Sequence, residues 1–465
     1  MPNIAGLLQI GRSALLTQQK AIDITGNNIA NVNTPGYSRQ RLNMEQATPV
    51  RVLNTTMSTG VVAQQKIQRF HDQFVQSQMN TENENLGRWE AQRTALEKIE
   101  VLFDEVSGYG LSTAMSGFWN SWQDLSNNPT GHVERNSVLS AGQYLTSTFN
   151  QLSKNIQNAQ KDINTSINSV VTDINRMADQ IAELNGKITK VEVTGHNAND
   201  YRDQRDLLVL ELAKLIDIES FEDGDGNMTI TVGNGKPLVE RAFTWDLVTE
   251  NIEGKQNVHW KDSSGNTLDI TTHIQSGELK GWIEARDRVI EGYLGRLNVL
   301  AENMISEVNA LHGSGYGIDD DVQRPFFVPE SDGNALSIAI NPEIVGNVNH
   351  IAAAGQAFTP GDNSNAIATA ELQNALTMSE NASTFGDFYA ALVGDVGNDT
   401  RRAGLNFGHQ TAMMKHLSNY REEVAGVSLD EEMVNLVQYQ HAYNAAAKLI
   451  TTTDELMQTL IGLVR

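Results

Sequence analysis

The two ends of this 465-residue chain carry the same kind of apolar repeat, and that repeat limits what the chain can fold into. In the segment 4–32, the apolar residues are separated alternately by four and three positions, provided that Gly11, Gln18 and Thr25 are counted as members of the repeat. This heptad seam is typical of helices that wrap around one another. Pro35 ends the predicted helix, because the residue before a proline avoids helical geometry. The predicted N-terminal seam consists of Ile4, Leu8, Leu15, Ile22, Ile29 and Val32.

The segment 428–465 repeats the pattern. Ser428 and Glu431 match a capping box, which marks the start of a helix. Nine of the eleven seam positions that follow are apolar, and Gln440 and Asp454 are the exceptions. The predicted C-terminal seam consists of Leu429, Met433, Leu436, Gln440, Tyr443, Ala447, Ile450, Asp454, Met457, Ile461 and Val464.

Neither terminal helix is expected to hold itself in place. A helix with one narrow apolar stripe buries too little surface to offset the conformational entropy lost when it becomes ordered. The stripes therefore favour packing against many neighbouring helices, as in a polymer subunit. The simpler alternative is an ordinary pair of bundle helices inside one globule.

Composition excludes several classes of partner. Acidic residues outnumber basic ones by 57 to 34, and the net charge of -23 argues against binding nucleic acid or anionic membranes. The first 80 residues are net basic instead, since they hold seven basic and three acidic residues. The chain contains no cysteine, which excludes disulfides and thiolate metal sites. We find no apolar run long enough to insert into a membrane and no cleavable signal peptide.

Between the ends, the pattern predicts a mainly α fold with inserted β. An apolar seam from Leu145 to Val191 predicts one long helix over 132–193, and a second helix over 201–216 is expected to fold back on it. We expect a terminal helical domain (1–50 with 421–465) and a long-helix bundle domain with a small β part (51–216 with 281–311 and 366–420). A small β-rich domain (217–280) and a loop-rich surface insert (312–365) complete the prediction. Thr81 and Glu84 match a second capping box, which predicts a helix from there to about residue 106.

No pattern in the sequence predicts catalysis, a metal site or a cofactor. Asp223, Asp225 and Asn227 resemble the start of a calcium loop, but Met228 stands where that loop needs glycine, so a hairpin turn is favoured. Asp203, Arg205 and Asp206 favour an ion-pair network at a helix start over catalysis. His71 and His441 are expected to face solvent or a helix seam.

The run from Ala30 to Gln40, which reads ANVNTPGYSRQ, resembles the start of flagellar axial proteins. Its continuation after Pro35 is similar to the hook-associated protein 1 branch of that family. Further matches to this branch are 203–208 (DQRDLL), 276–281 (SGELKG), 285–287 (ARD), 427–432 (VSLDEE) and 438–443 (QYQHAY). The family motif is a turn that uses Asn31, Asn33, Pro35, Gly36 and Tyr37.

The resemblance implies a non-enzymatic structural subunit of the extracellular bacterial flagellum. It implies synthesis in the cytoplasm, export through the flagellar type III apparatus, and an export chaperone that binds the C-terminal helix. The implied partners are other copies of the chain in a ring or helical assembly, the hook protein and the second hook–filament junction protein. A hook or distal-rod protein of the same family, a coiled-coil adaptor, and an enzyme carried on an axial scaffold remain as alternatives.

Overall fold

The computed structural model describes residues 4–46, 50–52, 55–57, 61–103, 108, 110–319, 321–329 and 335–463. The fold is mainly α with inserted β, which confirms the predicted fold class. The helices are α1 (Ile4–Ala30), α2 (Gln73–Leu102), α3 (Leu111–Asn127), α4 (His132–Glu192), α5 (Asn199–Leu215), α6 (Gly277–Glu284), α7 (Glu291–His312), α8 (Pro342–Gly346), α9 (Ser364–Glu371), α10 (Phe385–Ala425) and α11 (Leu429–Leu463). The strands are β1 (Gln40–Gln46), β2 (Val50–Val52), β3 (Thr55–Met57), β4 (Val61–Arg69), β5 (Glu219–Glu222), β6 (Met228–Val232), β7 (Lys236–Glu240), β8 (Phe243–Thr244), β9 (Leu247–Ile252), β10 (Lys255–Lys261) and β11 (Thr267–Asp269).

The long helix α4 is unbroken over 61 residues and matches the predicted span to within one residue. Its apolar seam is buried along most of its length, from Leu145 and Phe149 to Ile188. Gly195, at φ +85°, then turns the chain so that α5 packs back on α4. The periodicity of the seam therefore fixes both the length of α4 and the side that faces its neighbours.

The start of α2 corrects one prediction. The helix begins at Gln73, and the side chain of Asp72 accepts hydrogen bonds from the backbone N–H groups of Phe74 and Val75. Thr81 and Glu84 lie inside the helix and do not cap it. Glu84 instead accepts a hydrogen bond from the N–H of Ile218 at 3.1 Å, and burial raises the pKa of its carboxyl to about 7. A helix with a better cap one turn or more upstream does not use a later capping pattern.

The strands β5–β11 form a β-rich insert, which lies beside the middle and C-terminal half of α4. It contains a four-stranded antiparallel sheet in the order β5-β6-β7-β8 and a three-stranded sheet in the order β11-β10-β9. Asn175 of α4 donates to the carbonyl of Leu247 at 2.8 Å, and Asn185 donates to the carbonyl of Met228 at 2.8 Å. The predicted hairpin turn is present, since Asp223 accepts from the backbone N–H of Asn227 at 2.9 Å.

The segment 312–365 consists largely of loops, and part of it lies in the core rather than at the surface as expected. Phe326 and Phe327 are fully buried, and their ring centroids lie 5.0 Å apart. Phe326 also packs against Phe118 and Trp122 of α3, at 5.6 and 5.7 Å. Loops without helical or strand periodicity can still fill a core, and aromatic side chains contribute much of the buried area when they do.

Candidate assembly interface

The two chain ends meet as an antiparallel pair of helices, which we call the terminal hairpin (α1 and α11). Near one end of it, a Cβ atom added to Gly11 would lie 2.8 Å from Cγ1 of Ile450. Near the other end, Nδ2 of Asn28 donates to Oε2 of Glu432 at 3.1 Å. Residue numbers rise along one helix while they fall along the other, so the helices run in opposite directions.

The line of α1 that is buried against the rest of the chain differs from the predicted seam. The buried residues are small or polar for the most part: Gly11, Thr17, Ala21, Ile24, Thr25 and Asn28. The predicted seam residues Ile4, Leu8, Leu15, Ile22, Ile29 and Val32 are all half-buried. At about 100° per residue, the two lines are separated by roughly 110° around the helix. Small side chains thus line the intramolecular contact, and the apolar stripe flanks it.

On α11 the predicted seam divides into two sets. Half-buried positions are Leu436, Tyr443, Ala447, Ile450 and Met457, and Ile450 lies against Gly11 of α1. Exposed positions are Leu429, Met433, Gln440, Asp454 and Ile461. Val464 lies outside the described residues. The most buried side chains of this helix are Glu432, Ala446 and Thr453.

Six of the exposed apolar side chains on α11 form two stripes, while Val434 and Ile461 belong to neither. Stripe A consists of Leu429, Met433 and Val437, which are 47–50% exposed. Stripe B consists of Leu449, Leu456 and Leu460, which are 36–55% exposed. With about 100° per residue, stripe A lies roughly 105° to one side of the local contact with α1, and stripe B about 70° to the other side. The predicted N-terminal seam forms the half-buried stripe of α1. Because the helices are antiparallel, this stripe lies on the same side of the hairpin as stripe A.

Asn28 organises the motif turn that follows α1. Its side-chain amide is 1% exposed, and it pairs with the backbone of Gln40 as a neighbouring strand would, donating to the carbonyl at 2.9 Å and accepting from the N–H at 3.0 Å. The hydroxyl of Tyr37 donates to the amide oxygen at 2.9 Å, and Glu432 accepts from the amide nitrogen. All four hydrogen-bonding positions of this amide are therefore used.

Arg39 joins the motif turn to the first turn of α11. Its guanidinium donates to Glu432 and to Glu431, each at 2.8 Å, and lies over the ring of Phe70. The side chain of Glu432 is 3% exposed and that of Glu431 is 63% exposed. The basic start and the acidic end of the chain thus meet in ion pairs at this point. Ser428 accepts from the N–H of Glu431 at 3.5 Å, which is one half of the predicted capping box.

The predicted motif residues have distinct placements. Asn31 donates to Asn27, while Asn33 and Pro35 are exposed. Gly36 has φ +80°, a conformation that favours glycine, and a Cβ there would lie 3.2 Å from Cβ of Leu207. Tyr37 is half-buried, and burial followed by nearby carboxylates raises the pKa of its hydroxyl, so the hydroxyl remains a donor.

The second motif, 203–208 on α5, lies directly against this turn. Asp203 accepts from the N–H of Ser38 at 2.9 Å and from Arg69 at 2.8 Å. Arg69 also pairs with Asp206 at 2.8 Å. Burial raises the pKa of Asp203 even though Ser38 and Arg69 lower it in part. The ion-pair network predicted for Asp203 and Asp206 is therefore present.

The side chain of Gln40 adds a second contact between the turn and α5. Its Nε2 donates to Asp200 at 2.7 Å, and its Oε1 accepts from Asn199 at 3.2 Å. Arg205 belongs to a separate network, since it is fully buried and donates to Glu222, Asn185 and the carbonyl of Gly226.

An open cleft of about 520 Å³ lies between α1, β1 and α11. Its walls include Ile24, Arg41, Phe70, Val434 and Tyr439. In the described ranges, no group of three or more histidine or acidic side chains converges as metal ligands would. None of the described helices combines the length and apolarity required to cross a bilayer. The side chains around this cleft make contacts between helices and loops.

Asn28, Arg39, Gln40, Arg69 and Glu432 form the centre of this site, although the sequence did not single them out as contacts. Asn28 and Glu432 are 404 residues apart, and no periodicity connects them. The sequence nevertheless contained a usable signal. Asn28 is a polar residue on the same helix face as Ala21 and Thr25, and the motif turn follows it directly. Buried polar side chains require partners, so such a residue marks a specific contact.

Three family models match the chain. A model for the flagellar hook-associated protein FlgK helical domain covers residues 96–327. Models for the flagella basal body rod protein and for the flagellar basal body rod FlgEFG protein C-terminal region cover residues 8–37 and 419–463. The two rod models thus match the two halves of the terminal hairpin, and the FlgK model matches the long-helix region.

Similar proteins agree with these matches. Flagellar hook-associated protein 1 of Bacillus subtilis is 28% identical, with 98% of this chain and 97% of that protein aligned. The proteins of the same name from Salmonella typhimurium and Escherichia coli are 25% and 24% identical, with 99% of this chain and 100% of each relative aligned. The solved structure of the flagellar hook junction protein FlgK from Burkholderia pseudomallei shares the fold, with a TM-score of 0.68 and 15% identity over 75% of this chain and 100% of that one. The chain belongs to the flagellar hook-associated protein 1 family and is a structural protein of the flagellum.

Proposed function

We propose that this chain polymerises at the junction between the flagellar hook and filament, and that it does so through the terminal hairpin. The observation that carries the proposal is the pair of apolar stripes on opposite sides of α11. Stripe A and stripe B together place six leucine, methionine and valine side chains at 36–55% exposure. Contiguous exposed apolar surface is typical of protein–protein contact.

The arrangement of the stripes also bears on the type of assembly. A patch that faced a single direction would suit a two-fold dimer, in which the same surface meets itself. Patches on opposite sides suit head-to-tail contacts, in which each copy meets two neighbours and the assembly closes into a ring or continues as a helix. The half-buried stripe of α1 extends stripe A, so the N-terminal seam residues belong to the same proposed interface.

The partners follow from this proposal and from the names of the relatives. We infer contacts with further copies of the chain, with the hook protein on one side and with the second hook–filament junction protein on the other. We also infer export through the flagellar type III apparatus, and a chaperone that covers the exposed stripes of α11 beforehand. Gln440 and Asp454, both exposed, are then polar positions in a seam between subunits, where they set register.

The alternatives receive less support. A hook or distal-rod protein shares the terminal helices, but the FlgK helical domain match over 96–327 favours the junction protein. A coiled-coil adaptor would share the exposed stripes, but it does not account for the rod-protein matches at both ends. We infer a structural role without catalysis, in keeping with the structural character of the family.

A pair of matched substitutions tests the proposal. Met433→Glu places a charge in stripe A, whereas Val193→Glu places one on a valine that is 82% exposed at the end of α4 and belongs to neither α1 nor α11. We expect a strain that carries only Met433→Glu to lose filament assembly on its hooks, because burying an unpaired charge at a contact is strongly unfavourable. The Val193→Glu strain is expected to assemble filaments normally.

Filament counts by electron microscopy provide the measurement, and circular dichroism of the purified variants checks that both are folded. Immunoblots of the culture medium separate export from assembly. Loss of filaments while the variant protein still reaches the medium supports the assembly role. Normal filaments with Met433→Glu would show that stripe A is not an assembly contact.

A further inference from the structure

We propose that Asn28 couples docking of the C-terminal helix to closure of the motif turn on α5, so that both chain ends and the helical core lock together in one step. The proposal concerns the regulation of the terminal hairpin. Its physical basis lies within a single chain, so it can be tested without any flagellar assembly and can hold even if the proposed junction role is wrong.

The first link joins α11 to the turn through a buried carboxylate. Glu432 is 2% exposed, and its two oxygens accept from Arg39 at 2.8 Å and Asn28 at 3.1 Å. A carboxylate this buried is stable only when charged or polar partners surround it. Glu432 therefore requires the turn in its closed form, and Asn28 and Arg39 require α11 to be docked.

The second link passes through the amide of Asn28 itself. Its Nδ2 donates both to Glu432 and to the carbonyl of Gln40, so the same nitrogen holds the helix and the turn. Its Oδ1 holds the N–H of Gln40 and the hydroxyl of Tyr37. When α11 leaves, one donor of a fully buried amide loses its partner, and the amide must reorient or become hydrated. Water that reaches the amide then competes for its hydrogen bonds to Gln40, and a reoriented amide breaks them.

The third link joins the turn to the helical core. Gln40 reaches Asp200 and Asn199 at the start of α5, and Asn199 also donates to the carbonyl of Ile67 on β4 at 2.9 Å. Next to it, the N–H of Ser38 donates to Asp203. A shift of residues 38–40 therefore removes two anchors of α5 together. The chain of contacts runs from α11 through Asn28 and Gln40 to α5.

This coupling gives the C-terminal helix a second role beyond supplying apolar surface. A partner that holds α11 away from α1 also keeps the motif turn open. Release of α11 then closes the turn and fixes the hairpin to the core. The docking state of α11 thereby sets the state of a region that belongs to the opposite end of the chain.

The test uses two adjacent asparagines in the full-length chain. Asn28→Asp keeps the shape of the side chain but replaces both donated hydrogen bonds with a carboxylate that faces Glu432 and the carbonyl of Gln40. Asn27→Asp makes the same chemical change at an exposed residue whose Oδ1 continues to accept from Asn31. Hydrogen–deuterium exchange is measured in three segments: 429–440 of α11, 31–40 of the turn and 197–206 at the start of α5.

With Asn28→Asp we expect exchange in all three segments to rise by about tenfold or more, since the loss of buried hydrogen bonds is transmitted along the contacts. Asn27→Asp is expected to leave all three unchanged. Faster exchange confined to α11 and the turn, with 197–206 unchanged, would overturn the coupling. So would equal effects of the two substitutions.

A second pair covers the case in which Asn28→Asp unfolds the whole protein, as recognised by faster exchange throughout α4. Glu432→Gln and Glu431→Gln remove one charge each from neighbouring residues that both bind Arg39. We expect Glu432→Gln to increase exchange in all three segments and Glu431→Gln to affect α11 alone, because only Glu432 contacts Asn28. Identical patterns for the two glutamine variants contradict the proposal.

Discussion

Aromatic rings fill the space between α3, α7 and α10, whereas small and polar side chains fill the line between α1 and α11. In the first region, Phe118, Trp122, Phe326 and Phe385 are fully buried, and the surrounding core continues across most of the helices. In the second, the buried hydrophobic cluster is small: Ala21 and Ile24 of α1 meet Leu42 of β1, and Tyr439 of α11 packs at its edge.

The difference teaches how one chain separates folding from association. A large apolar core stabilises a fold from within a single molecule. A narrow contact of glycine, alanine, threonine and asparagine lets two helices approach closely, yet it leaves their leucine and methionine side chains facing outwards. The predictions below test this contrast, beginning with the largest expected effect.

The sharpest contrast compares one truncation in each region. Phe326→Ala removes a fully buried ring and is expected to lower the free energy of unfolding by about 3–5 kcal/mol. Val434→Ala removes two methyl groups from a side chain that is 67% exposed on α11. This substitution should change the free energy of unfolding by less than about 0.5 kcal/mol. Urea unfolding followed by near-ultraviolet circular dichroism measures both. Comparable losses would mean that the two regions do not differ as described.

Acid is expected to weaken the aromatic region through His312. This side chain is fully buried; its Nδ1 lies 2.6 Å from the carbonyl of Arg324, and its Nε2 accepts from the N–H of Ala352 at 2.9 Å. Those two contacts fit the neutral ring with its proton on Nδ1. Burial lowers the pKa of the imidazole from 6.5 to about 4.

Because the folded state disfavours protonation of His312, its contribution is complete above pH 6.5 and is lost as the pH falls from 6.5 to about 4. At about 1.4 kcal/mol per pH unit, the loss amounts to roughly 3 kcal/mol. Urea midpoints at pH 7 and pH 4.5 measure it. His312→Gln removes the titrating group, so the difference between the two pH values should shrink in that variant. An unchanged difference would assign the acid sensitivity to other groups.

The smallest effect concerns two glycines of α1. Gly26→Ala adds a methyl group where no atom lies within 4 Å, so it should stabilise the helix by up to about 1 kcal/mol. Gly11→Ala places the same group 2.8 Å from Cγ1 of Ile450, and the clash should offset that gain and loosen the terminal hairpin. The rate at which trypsin releases the termini measures the difference. Equal protection of both variants would indicate that α1 and α11 are not in close contact at Gly11.

Much of the helical framework could be predicted from periodicity. The predicted span of α4, 132–193, matches the observed helix to within one residue, because a long apolar repeat leaves few alternatives. Local signals were less reliable. Thr81 and Glu84 fit a capping box, but α2 is capped upstream by Asp72, so both residues lie in the interior of the helix.

The candidate site could be predicted only in part, for a geometric reason. The heptad spacing of α1 correctly indicated a helix with a preferred side, but not which side would face α11 and which would remain half-buried. Gly11 and Thr25 appeared as gaps in the seam, yet both are buried, and Gly11 lies where an added methyl group would clash with Ile450. The contacts among Asn28, Gln40 and Glu432 depend on positions that only the folded chain brings together.

The unbroken course of α4 has a mechanical consequence. Near its start, Gly142 lies against Phe326 and Ile340, and farther along the helix Asn164, Asn175 and Asn185 form hydrogen bonds with strands of the β-rich insert. At about 1.5 Å per residue, this single beam is roughly 90 Å long. Because this helix is continuous from the aromatic cluster to the insert, a sideways load on the insert becomes a bending moment along α4. The aromatic cluster near its opposite end then serves as the anchorage that resists it.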